Sequence, residues 1–188
     1  MKIVIISCLF LISIIPNVLF ANNMKNISNE KKDMFFDLFL GTQVSGIRKE
    51  DYVLSNYSPY FQLSLGKWFT PYLALAISYQ GPYFNFIGDD LKHKYLYING
   101  DAIINVNRLF WPNYAGFWSI NIFVGSGYFY NIMYKRPNIC ANGGLTNEFN
   151  ISENMSLKLK LSAILGWDIY QGDQDILPNI SIGFSVYF

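Results

Sequence analysis

Charge is scarce in this chain. Only 14% of its residues are Asp, Glu, Lys or Arg, well below the roughly one quarter usual for soluble domains, so there is too little to cover an ordinary water-facing surface. The charges nearly balance, 14 basic against 13 acidic, and no basic run breaks that balance, which argues against nucleic-acid binding. Histidine occurs once, His93, and cysteine twice, at Cys8 and Cys140. That inventory provides no metal cluster and no disulfide framework. A phosphate-binding glycine loop and a nucleophile motif are missing as well, and no cofactor is implied. From Met34 onward no segment has the three-and-four spacing of an amphipathic helix.

The one long apolar run is at the start. Lys2 is followed by Ile3 to Ile15, a break at Pro16, and Val18-Leu19-Phe20-Ala21 before a polar stretch. This pattern predicts a secretory signal peptide over residues 1–21, because the run falls short of the roughly 20 residues a spanning helix needs. Cys8 lies inside it without a lipoprotein-processing context, so the mature chain keeps Cys140 alone and no intramolecular disulfide. Residues 22–33, NNMKNISNEKKD, have no hydrophobic period and read as a polar periplasmic linker. Residues 34–188 are one domain's worth of chain.

What that domain has in abundance is apolar and aromatic residues, 52% and 18% of the whole sequence, set in strict alternation. Period-two alternation recurs about eight times, an even number as bacterial single-chain barrels require. In the strand near 155–168, Leu157, Leu159, Leu161, Ala163 and Leu165 oppose Lys158, Lys160, Ser162 and Gly166. The strand near 93–106 sets Leu96, Ile98, Ala102 and Ile104 against Tyr95, Tyr97, Asn99, Asp101 and Asn105. The polar face is mostly Ser, Gly, Asn, Gln and Tyr, which suits a crowded lumen better than a wet exterior. Aromatic residues also collect at both strand ends, Trp68, Phe69, Tyr72, Trp111 and Trp118 at one, Tyr79, Tyr83, Tyr128, Tyr130 and Trp167 at the other, as interfacial girdles do. The expected fold is all-β, an eight-stranded antiparallel up-and-down transmembrane β-barrel.

The last strand, Asn179 to Phe188, alternates Ile180, Ile182, Phe184, Val186 and Phe188 with Ser181, Gly183, Ser185 and Tyr187. Its Gly183-x-x-Val186-x-Phe188 resembles the C-terminal strand of bacterial outer-membrane barrels. The resemblance implies that Gly183, Val186 and Phe188 form a signal read by the barrel-assembly machinery. Ser64 to Pro71 (SLGKWFTP), Asn99-Gly100-Asp101 and Asn142-Gly143-Gly144-Leu145 also resemble the N-terminal barrel of OmpA-like outer-membrane proteins. The expectation is the N-terminal barrel alone, without the peptidoglycan-binding domain usual in that family, OmpX-like in size. The resemblance implies the bacterial outer membrane as location, with its lipid and lipopolysaccharide as partners. It also places the short turns in the periplasm and the segments near 47–58, 82–92, 131–138 and 169–178 outside.

On that topology Asp37, Asp101, Glu148, Lys158 and Lys160 all point into the periplasmic half of the lumen. Glu148 and Lys158 flank one tight turn and are expected as direct or diagonal neighbours. A crowded lumen cannot leave charge unpaired, so these five are expected to form a salt-bridged plug. A structural or surface-interaction role follows, with membrane integrity and adhesive loops in view. A narrow porin-like channel and a lipid A-modifying enzyme are the alternatives. The enzyme would need a nucleophile and a carboxylate near His93, and Asp89, Asp90 and Ser126 are the available neighbours; otherwise His93 is an exposed rim residue. Asp89-Asp90 and Asp173-x-Asp175 are too few for a dedicated calcium site and are expected as solvated loop carboxylates. Cys140 shares parity with Asn142 and is expected to pack in the lumen.

Overall fold

A computed structural model describes residues 33–46, 53–85, 92–167, 169 and 174–188. The proposed signal peptide and nearly all of the linker fall outside these residues, as do Asp89, Asp90 and Asp173. The chain forms β1 (Met34–Val44), β2 (Tyr57–Trp68), β3 (Leu73–Asn85), β4 (Lys92–Asn105), a short helix α1 (Val106–Phe110), β5 (Trp118–Asn131), β6 (Arg136–Ser152), β7 (Met155–Trp167) and β8 (Gln174–Tyr187). The eight strands follow one another around a closed barrel, each pair antiparallel. Closure is made by β1 on β8, from Phe35 opposite Tyr187 to Gln43 opposite Asn179. Closure leaves no sheet edge, which a strand sheet in lipid requires because hydrocarbon satisfies no backbone N–H or C=O.

The alternation sorts the two faces as the sequence predicts. Phe36, Leu40, Leu65, Leu75, Ile77, Ile122, Val124, Ile180, Ile182 and Phe184 stand exposed on the outside, Ile77 at 69%. Inside, Gln43, Gln62, Ser64, Asn99, Asn142 and Ser185 are buried. An exterior apolar and an interior polar is the reverse of a water-soluble barrel. Even the shortest strand, β1 with 11 residues, spans the hydrocarbon when tilted.

Two details depart from expectation. α1 forms in the connection after β4, where the sequence shows no helical period. It is a local device: the Asn105 side chain accepts from the Arg108 amide at 2.9 Å, an N-cap, and Asn107 Oδ1 accepts from Ile120 N–H at 2.7 Å, tying the turn to β5. Further on, β8 begins at Gln174, well before Asn179. Pro178 reads as a loop signal, yet here it sits in a strand, at a height where β8 pairs with β7 and its pairing with β1 has already ended. A missing N–H is tolerated there.

Candidate functional site in the barrel lumen

The lumen is filled in three storeys. Nearest the rim where Met34 and Phe188 meet, Lys158 Nζ donates to Asp37 Oδ1 at 2.9 Å and Oδ2 at 3.1 Å, a salt bridge with both side chains buried. β7 and β1 are not neighbours; the ammonium reaches past β8. Gly183 lies directly opposite Lys158, and a Cβ there would meet Leu38 O and the Phe39 ring at 2.4 Å. The Ser185 hydroxyl also donates to Asp37, and the Phe35 and Tyr187 rings flank the ammonium at 5.0 and 5.8 Å.

Glu148 is Lys158's direct partner in register. Its bonds, however, come from neutral donors: Asn121 Nδ2 and the Ser156 hydroxyl, each at 2.7 Å, and the Tyr187 hydroxyl. In the middle storey Asp101 is held the same way, by Asn142 Nδ2 at 2.6 Å, Asn99 Nδ2 at 2.7 Å and the Ser78 hydroxyl at 3.1 Å. Lys160 donates to Gln62 Oε1 at 2.6 Å and lies over the Phe123 ring at 4.2 Å and the Phe39 ring at 5.2 Å. The five charged residues therefore share the lower lumen as one group, but not as a mutual set of salt bridges. Within this group of five one pair carries an ion bridge, and amides, hydroxyls and ring faces hold the other three. A cavity of about 30 Å3 between them, lined by Asp37, Gln62, Asp101, Asn121, Lys158 and Lys160, has room for about one or two waters. No described group of His, Cys, Asp and Glu has the makings of a metal site.

The upper storey is apolar, which the alternation does not announce. Phe84, Tyr95, Tyr97, Phe129, Ile164 and Leu177 pack with Cys140 and Ile169 in one buried cluster. Tyr95 stacks on Phe129 at 4.8 Å, 12° from parallel, while its hydroxyl donates to Gln43 Oε1 at 3.0 Å. Tyr97 reaches down to Asn142 Oδ1 at 2.8 Å. Each tyrosine thus caps the polar storey with its hydroxyl and joins the apolar one with its ring.

His93 corrects the expectation of an exposed rim residue. It is 1% exposed, packed between Phe84 at 5.6 Å and Tyr134 at 5.0 Å. Ser126 is not beside it: Ser126 pairs with Gly100 and Ala141 and lies on the exposed outer face. His93 and Ser126 therefore form no catalytic pair. Asp175 is likewise no solvated loop carboxylate, being 1% exposed within β8. Cys140 is buried, facing inward as its parity requires.

Superposition on the crystal structure of the Neisserial surface protein NspA covers 82% of this chain and 97% of that one, with a TM-score of 0.61 at 10% identity. The outer membrane protein OprG from Pseudomonas aeruginosa matches over 87% of this chain and 99% of that one, with a TM-score of 0.51 at 11% identity. This is the fold of a small outer-membrane β-barrel. The apolar belt marks the chain as an integral membrane barrel of that kind. No protein-family model matches the sequence, and no curated protein sequence matches it either.

Proposed function

We propose that this barrel is a filled, non-conducting component of the bacterial outer membrane that supports membrane integrity and presents its external loops for surface interaction. The observation that carries the reading is the lumen: a buried ion pair and amide network below, and a stacked aromatic layer above, occupy the section an ion would have to cross. An eight-stranded barrel is just wide enough for such filling. Residues 1–21 act as the secretory signal and 22–33 as a periplasmic linker. The second reading fits the described chain, whose ends meet at one rim through Met34 and Phe188 backbone bonds at 3.1 and 3.0 Å. Gly183, Val186 and Phe188 serve as the assembly signal; Val186 on the last strand and Phe188 just after it stand exposed at 42% and 55%. The burial of His93, with Ser126 on the opposite face, supports a non-enzymatic role.

Reconstitution in planar bilayers tests this reading. The expected result is no ion conductance from the wild type. Conductance abolished by Lys158→Ala would replace the reading with a narrow channel. A lipid A profile changed by the protein and restored by His93→Ala would replace it with an enzyme.

A further inference from the structure

The charged part of the lumen has apolar side chains on both sides. Toward the rim where Met34 and Phe188 meet, Phe35, Ala74 and Ala76 form a buried cluster with Trp68, Ile103 and Tyr187 packed against it; toward the far rim stands the aromatic storey. The cavity of about 30 Å3 takes Phe35, Trp68 and Ile103 of the lower cluster into its wall. Three further wall residues stand in one row: Asn121 of β5 is opposite Thr146 of β6, and Thr146 is opposite Lys160 of β7. All three are buried in the lumen.

Two of the three have hydrogen-bonding capacity that the described residues leave unused. Asn121 is 3% exposed. Its Nδ2 donates to Glu148, which fixes the orientation of the amide, and its Oδ1 has no partner among the described residues. Lys160 is 4% exposed and carries three N–H donors. One donates to Gln62 Oε1, an oxygen that also accepts from the Tyr60 hydroxyl at 2.6 Å. The other two have only the Phe123 and Phe39 ring faces. Buried donors and acceptors are as a rule paired, through ordered water where no protein group reaches. An unmet carbonyl and an under-used ammonium on the wall of one cavity therefore call for a molecule between them.

The wall decides what that molecule is. Lys158 and Lys160 oppose a cation, while Asp37, Asp101 and the bare Asn121 oxygen oppose an anion. The volume admits about one or two waters and nothing larger. We propose that a bound water sits between Lys160 and Asn121, accepting from Nζ and donating to Oδ1, and that it is a lasting part of the lumen filling. Its second proton has the Asp37 and Asp101 carboxylates on the same wall as acceptors. The site rests on the filled-lumen reading above and deepens it. Gln62 reaches Asp101 through Ser64 and Ser78, and Asn121 reaches Glu148; the water joins these two groups into one network through Lys160.

Cross-relaxation between water and protein in NMR spectra of the folded barrel in detergent micelles tests this. The Thr146 methyl and Phe123 ring protons lie on the cavity wall and do not exchange with solvent. They are expected to show water cross-peaks of opposite sign in NOE and ROE spectra, the mark of a water that stays far longer than surface hydration does. Ala76→Val adds bulk on the apolar side of the cavity, and Lys160→Met removes the donor. Each should abolish the peaks and lower the long-lived water count in oxygen-17 relaxation dispersion by about one. Where a variant gives no compact, heat-modifiable band, the wild-type spectra decide alone. Absent cross-peaks in a folded, non-conducting wild type mean a dry cavity and overturn the proposal, as do peaks unchanged in both variants. Cross-peaks of equal sign together with bilayer conductance mean water passing freely, and overturn the filled-lumen reading along with the proposal.

Discussion

Two buried lysines two positions apart on one strand are held by different means, and they should respond differently to substitution. Lys158 is bound to a carboxylate, so Lys158→Met leaves Asp37 charged and unmatched in the interior. The expected cost is about 3–5 kcal/mol, with most of it recovered in Lys158→Met/Asp37→Asn. Lys160 has a carbonyl oxygen and two rings but no described ion partner. Lys160→Met keeps the volume and removes a desolvated charge, so its stability should stay within about 1 kcal/mol of wild type or rise. Urea unfolding of the bilayer-reconstituted variants measures both; equal losses at the two positions would contradict the distinction. Sequence parity places all five charged residues inside, and the register pairs Glu148 with Lys158 across a turn. Which carboxylate Lys158 takes is not legible, because Asp37 is 121 residues away and comes within reach only when the barrel closes. His93 misleads for a related reason: a lone histidine near a loop reads as exposed until Phe84 and Tyr134 are brought against it.

At the scale of the element, space and capping decide. Gly183 sits where β8 passes Lys158 and Phe39, and Gly183→Ala forces a methyl against the Leu38 carbonyl and that ring. A loss of about 1–3 kcal/mol is expected, checked by the same urea titration. Asn105→Ala removes the α1 cap and should cost about 1 kcal/mol in the same titration. The strands were readable because period-two alternation survives in nearly every one. α1 was not, since five residues, VNRLF, are too few to show a helical period and the helix depends on two asparagines acting locally. The aromatic storey was half legible. Tyr95 and Tyr97 have inward parity, but a polar-lumen expectation counts their hydroxyls and overlooks their rings. Phe84 and Phe129 become a layer only when β3, β4 and β5 stand side by side.

For the whole molecule, the aromatic storey fills the upper lumen. Phe129 touches Phe84, Tyr95 and Tyr97, so Phe129→Ala removes the centre of that layer. The variant should stay folded with a stability loss of about 3–5 kcal/mol, and any conductance in planar bilayers should appear in it before it appears in the wild type. The underlying proposition is that the apolar face looks outward into lipid and the polar face inward. Gel mobility of the protein from an isolated outer-membrane fraction, run in detergent with and without boiling, tests that most directly. A compact band that resists detergent and shifts to the unfolded position only after heating is the predicted result. A protein recovered in the soluble periplasm, with one mobility before and after heating, would contradict it.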